Sequence, residues 1–430
     1  AFSGEYPKDS GLNNVVMGTN NLGAQTSGSD NFVSGNGNLT LATAPTRNTV
    51  QGYQNAPSVS SSSYNTMSGY RNMYSNTGAT SYNTMFGFGN LYNAIGTSVA
   101  STYNTMAGGS NAYSATTATS NATFFGRENA YFSSSVGNST MIGWRNMYNN
   151  TGTAVANQII GYGNLYNATS SGMAYNNIMG YQNAYNADDV DHTQLFGYRN
   201  AYNAGNLDYT TLLGRENGYS SSGIVYSFMS GIYNAKNATS SITDSALFGR
   251  QNAMNGFDIQ FSTLSGFDNA KAAEFIRNSS VLGRENALAS SSVQNSFLSG
   301  YRNAYTTLGS TDFSIVIGYQ NGYLPTVALD STILLGYRQG YSVGSKGAAS
   351  NRLAIGMIQD DPLIYGEFDN KMVEVNGNLT VTDRVGTANK LAAFDTNGKL
   401  VETDAYTLGY GGLESNLVTI SSTAATQIVF

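Results

Sequence analysis

The chain has no cysteine, one histidine and five prolines in 430 residues, and only 11% of its residues are charged. Without cysteine there is no disulfide framework, no thiolate zinc site and no nucleophilic thiol, and a histidine-dependent triad has only His192 to use. No apolar run approaches the roughly 20 residues of a membrane-spanning helix, which argues against membrane insertion. A net charge of −6 without a basic stripe argues against nucleic acid as a partner, because phosphate contacts supply most of that affinity. Lysine is missing between Lys8 and Lys236. The charged share is less than half the roughly 25% of an ordinary globular domain, so the surface is built from something other than salt bridges. What abounds is Gly (49) and Tyr (31), with Ser, Thr and Asn.

Glycine followed three residues later by Asn recurs at twenty anchors from Gly18 to Gly356, and only Gly336 and Gly356 carry Gln instead, at Gln339 and Gln359. Ten of the nineteen intervals are 17 residues and six are 18, the mark of one short repeated element with occasional loop insertions. Gly126 with Asn129, Gly143 with Asn146, Gly180 with Asn183, Gly197 with Asn200, Gly214 with Asn217 and Gly300 with Asn303 are representative structural-repeat pairs. Two residues before each glycine the chain is apolar, and Ile159, Ile178, Leu195, Leu212, Leu298 and Leu334 are expected core residues. The next position tolerates Ser, as at Ser68 and Ser230, so one column faces a dry interior and its neighbour does not. A smaller apolar column lies four residues after Gly (Met73, Leu91, Ala112), just past the Asn that marks a turn.

Seventeen residues are too few for two packed helices, and β-branched, aromatic and Ser/Thr residues at period 2 favour strands. The expected fold is all-β: a parallel β-roll or solenoid of about twenty 17–18-residue coils over 14–361, on the order of 95 Å long at one strand spacing per coil. Fixed columns then become ladders of identical side chains, which suits amides and stacked rings and penalises like charges. Tyr fills two columns, one directly after Gly and one five after it, the latter including Tyr148, Tyr166, Tyr185, Tyr202 and Tyr305. About two inward apolar side chains per coil are a thin core, so lateral association into a homo-oligomer with Tyr and Phe columns at chain contacts is expected. Residues 1–13 read as an N-terminal attachment segment, 362–404 as a β-hairpin module with turn signals at Asp369-Asn370, Asn376-Gly377 and Asn397-Gly398, and 405–430 as a cap or attachment segment.

The units TQLFGYRNAYN (193–203), STMIGWRNMYN (139–149) and SIVIGYQNGY (314–323) resemble the head repeat of trimeric autotransporter adhesins, and look like repeats in fibre proteins of tailed phages, particularly those of Bacteroidetes hosts. The resemblance covers about residues 14–360. It implies a left-handed parallel β-roll, three identical chains side by side, and no active site. The coil here is longer than the common adhesin repeat, and neither a heptad stalk nor a membrane-anchor barrel pattern follows it. The stretch 386–404 is similar to segments near the C-termini of phage tail and fibre proteins. The N-terminal AFSGEYPKDSG carries no signal-peptide pattern, so a signal has either been removed or never existed.

The sharpest catalytic candidate is the cluster Asp188, Asp189, Asp191 and His192, to be weighed against a solvated loop. The Arg-Glu pairs at Arg127-Glu128, Arg215-Glu216 and Arg284-Glu285 read as links across coils or between chains rather than as a ligand site. The Tyr columns either pack the trimer or stack on host glycans. The expected function is a non-enzymatic virion fibre of head or tail, without cofactor or metal. Its partners would be its own copies, other virion proteins at one end, and a host glycan or receptor. A cell-surface adhesin of the same fold and a polysaccharide-degrading tailspike are the alternatives.

Overall fold

The structure, a computed structural model, describes residues 13–377, with short breaks starting five to seven residues after the repeat glycine in most coils, and the backbone of 390–394 and 400–404. It is an all-β parallel solenoid with coils of about 17 residues. Twenty five-residue strands, from Val15–Thr19 to Arg352–Gly356, stack in one parallel sheet with glycine opposite glycine at every step from Gly18↔Gly35 to Gly336↔Gly356. The other wall is made of two separate sheets of seven short strands each, one from Ser61–Ser63 to Met173–Ala174 and one from Val190–Asp191 to Ser291–Gln294. The long sheet then reverses: Arg352–Gly356 pairs antiparallel with Ile364–Glu367, and that strand with Met372–Val375. Lys390–Phe394 and Leu400–Asp404 form an antiparallel hairpin.

Side chains alternate across each strand, so the residue two before Gly points inward while its neighbours point out. Ile159, Ile178, Leu195, Leu212, Leu298 and Leu334 are fully buried, as are Met73, Leu91 and Ala112 in the facing column. Bulk is shared between the columns: around buried Phe124 the facing column holds the small residues Ala112 and Ala130. At Gly322 the facing column has no side chain, and buried Leu329 from the following connection occupies that space.

Among the described residues, the coils from Gly18 to Gly336 share four corners at positive φ. Around Gly197 they fall at His192 (52°), Gly197 (126°), Arg199 (51°) and Ala201 (55°). Only the glycine corner lies outside the left-handed region that other residues can enter, which explains why Gly is nearly invariant there while Arg, Glu, Gln, Ala and Tyr occupy the rest. Left-handed conformation costs a non-glycine residue roughly 1–2 kcal/mol. The coil therefore needs side-chain ladders that hold its corners.

Candidate binding surface

The first ladder is inside. The Asn three residues after Gly is buried in every coil from Asn21 to Asn321, and its amide links three coils. Asn146 donates through Nδ2 to Asn129 Oδ1 (3.0 Å), to Ile142 O of its own strand (3.1 Å) and to Gly161 O of the next coil (3.1 Å). Its Oδ1 accepts from the Asn164 backbone N–H (3.4 Å) and Nδ2 (3.1 Å). Asn129, Asn183 and Asn217 repeat all three donations, and Asn200 and Asn303 repeat those to their own strand and to the glycine of the next coil. The two carbonyls belong to paired strands at the glycine corner, and an amide whose two N–H groups are shared among three oxygens while its own oxygen accepts ties successive coils together there.

A second inner ladder, four residues before Gly, carries no repeat signature as obvious as Gly-x-x-Asn. Asn48, Asn65, Asn83 and Asn104 chain together, each Nδ2 reaching the preceding Oδ1 at 2.9–3.1 Å. From Thr193 onward the column becomes Ser and Thr; the Thr193 hydroxyl bonds Asn176 Oδ1 (2.9 Å), and the serines bond the carbonyl two residues back, as Ser227 to Val225 O (2.9 Å) and Ser279 to Arg277 O (2.9 Å). The change from Asn176 to Thr193 coincides with the break between the two short-strand sheets. A signal was present in the sequence as a polar residue at a fixed offset, but Asn, Ser and Thr in turn obscure the column.

Outside, tyrosines five after Gly form an unbroken stack of nine rings: Tyr74, Tyr92, Tyr113, Tyr131, Tyr148, Tyr166, Tyr185, Tyr202 and Tyr219. Centroids are 4.8–5.5 Å apart and planes within 9°. Tyr305, Tyr323 and Tyr341 stack likewise. Tyr148, Tyr166, Tyr185, Tyr202 and Tyr305 are half-buried, their faces covered by rings of the same chain. Arginine two after Gly is wedged between this column and the one directly after Gly, as Arg199 over Tyr198 (5.1 Å) and Tyr202 (5.4 Å), and Arg302 over Tyr301 (4.9 Å) and Tyr305 (5.2 Å). Each such arginine also donates to an acceptor in the preceding coil: Arg145 to Glu128 (2.6 Å), Arg199 to Gln182 (2.9 Å), Arg302 to Glu285 (2.5 Å). Burial alone would raise the Glu128 carboxyl, but the Arg145 hydrogen bond, joined by Trp144 and Arg127, holds it below its ordinary value. Glu128 and Glu285 thus pair with an arginine of the next coil as well as with the arginine beside them, whereas Arg215 pairs with Glu216 within its own coil.

Burial, then the neighbouring ring Tyr92, pushes the Tyr113 phenol up; burial likewise raises Tyr131, Tyr185 and Tyr305. The folded state thus favours neutral phenol. The unfolded chain releases its phenolic protons near pH 10, so stability contributed by the ladder is complete below that pH and is lost as pH rises through the folded values. Circular dichroism during an alkaline titration should show loss of β-structure beginning above about pH 10, and Tyr185→Phe should shift the onset upward.

Of the candidate catalytic cluster, Asp191 and His192 lie among the described residues, and they serve different neighbours. His192 is a rung of a third, exposed ring column, stacked between Tyr175 (5.0 Å) and Tyr209 (4.6 Å). Asp191 Oδ1 accepts the Ala174 backbone N–H at 2.9 Å, bracing the neighbouring coil. Asp188 and Asp189 lie outside the described residues. Among the described residues no group of three or more His, Asp or Glu is placed to hold a metal ion.

No family model, curated protein or solved structure matches the chain.

The outward side of the long sheet presents an apolar ridge. Phe86, Phe125, Ile142, Met179, Phe248 and Ile317, each directly before a repeat glycine, are 37–47% exposed. Tyr53, Phe88, Trp144, Tyr181 and Tyr319 directly after the glycine are comparably exposed, so a strip of large apolar side chains follows the sheet for most of its length.

Proposed function

We propose that the chain is a structural fibre protein of a virion, a trimeric rod that reaches toward a host surface, as the repeat's resemblance to adhesin heads and phage fibres suggests. The observation that carries the association of copies is the apolar ridge. Together its side chains expose on the order of 1,000 Å², against about 800 Å² per partner in a standard stable interface. A partner covering such a strip has to match the coil spacing over many coils, and another copy of the chain does so by construction. The half-buried tyrosines five after Gly stack within their own chain, so the ridge is the better chain-contact surface. Stacked backbone ladders and copy-to-copy apolar burial would make the rod stiff and resistant to proteolysis.

Sedimentation equilibrium should give three times the chain mass. The triple variant Phe125→Glu, Met179→Glu, Phe248→Glu should sediment as a monomer with its β-sheet circular dichroism retained, and a monomeric wild type would sink the trimer. Immunogold microscopy with antibody against the chain separates the virion fibre from the adhesin: gold on particle projections supports the former, gold on uninfected cells the latter. Depolymerisation of host capsule, abolished by Asp191→Ala, would revive the tailspike.

A further inference from the structure

The exposed column five residues before Gly differs from the other ring columns. Tyr175, His192, Tyr209 and Tyr226 stack at 5.0, 4.6 and 5.1 Å, with the three tyrosines 53–60% exposed, and the column continues to exposed Asp244. Ring faces cover one another, so what the ladder offers outward is a row of ring edges and phenolic oxygens at the coil spacing. A sugar ring, which packs its C–H groups on an aromatic face, finds no free face along it. A flat conjugated molecule laid along the ladder receives successive ring edges on its own face, the edge-to-face geometry worth about 0.5–1.5 kcal/mol per pair. One position along the chain, Asp191 and Asp208 sit opposite each other on adjacent coils and run beside the ladder. No Lys or Arg occurs in 173–177, 190–194, 207–211 or 224–228, the segments that build this corner.

We propose that the ladder Tyr175, His192, Tyr209 and Tyr226, flanked by Asp191 and Asp208, is a binding track for an elongated planar aromatic cation lying parallel to the rod axis. The site is independent of the fibre reading, because it needs only one chain's stacked coils. The carboxylates supply the charge match, and four rungs span about 14 Å at one strand spacing per coil, so a ligand of several fused or conjugated rings meets the whole ladder while a single ring does not. The other exposed run, Tyr64, Tyr82 and Tyr103, has Ser63, Ser81 and Thr102 in the flanking positions and lacks that charge match.

Thioflavin T is a suitable probe, titrated into the intact protein by fluorescence and read by linear dichroism on flow-aligned rods. Saturable binding with the dye's long axis along the rod is expected. Tyr209→Ala should weaken it about tenfold. Asp208→Asn should weaken it and flatten its salt dependence, and Tyr82→Ala should leave it unchanged. Should Tyr209→Ala disturb the coil, Tyr209→Phe keeps the ring and should retain binding while Asp208→Asn still reduces it. No saturable signal, a dye oriented across the rod, or affinity indifferent to both Tyr209→Ala and Asp208→Asn would overturn the assignment.

Discussion

Gly197→Ala should destabilise the protein by about 3 kcal/mol or more, a large effect for one methyl group. Gly197 sits at φ 126°, beyond the left-handed region other residues can adopt, and an added Cβ would run into the backbone carbonyl of Gly214 in the next coil. That carbonyl is fixed by the parallel sheet, so nothing flexible can give way. Because each coil touches only its neighbours, the damage should stay local, with the rod melting as two units and a new proteolytic site opening near residue 197. Gly163→Ala is the internal control. Gly163 lies at φ 62°, where neighbouring coils hold Arg145 and Gln182, and its Cβ would meet only Gln182 Cγ at 3.5 Å. That change should cost less than about 1 kcal/mol, since it also lowers the entropy of the unfolded chain. Equal losses for the two glycines in denaturant melts would refute the column argument.

Asn183→Asp should be comparably severe. Asn183 Nδ2 donates to Asn164 Oδ1 (3.2 Å), Met179 O (3.0 Å) and Gly197 O (3.0 Å), while its Oδ1 accepts the Asn200 N–H (3.1 Å). The aspartate would turn the donor side of a fully buried amide into a second anionic oxygen facing three oxygens. With two or three polar groups orphaned at about 1–3 kcal/mol each, a loss of about 4 kcal/mol follows at neutral pH. Burial and the facing oxygens favour the protonated form of a carboxyl in that position, so part of the loss should be regained as pH falls below the substituted group's raised pKa. Asn183→Leu removes the donors without adding charge; it should be destabilising with no such pH dependence. If Asn183→Asp melts within about 0.5 kcal/mol of wild type, the amide ladder is not what holds the corners.

Much of this architecture is legible in the chain because a solenoid writes its contacts at a fixed interval. Gly197 and Gly214 are 17 residues apart in sequence and opposite each other in the sheet, so spacing along the chain is also neighbourhood in space. The same identity makes Leu195 and Leu212 visible as core. It fails where different residues serve one column. Asn104, Ala122, Ser139 and Asn157 occupy the second inner ladder, and no single letter marks it. The positive-φ corners at His192, Arg199 and Ala201 are hidden for a related reason: the backbone demands the conformation and the ladders hold it, so composition there varies freely. Asp191 and His192 look chemical in sequence because they adjoin. On a strand edge and its corner they serve different neighbours, one a backbone N–H and the other two rings.

By itself the sequence determined the coil length, the parallel in-register stacking, the inward column and the tyrosine ladders. All of these follow from periodicity, because a repeat that matches the coil turns every local preference into a continuous column. Only the tertiary structure decided which surface each column faces and what it touches. It placed the tyrosines five after Gly against one another with arginine wedged beside them, left the residue directly before Gly as the outward apolar ridge, and set His192 in an exposed ring stack. Those outcomes depend on corner geometry, since a left-handed residue redirects the side chains that follow it, and a 17-residue spacing contains no record of where those corners fall.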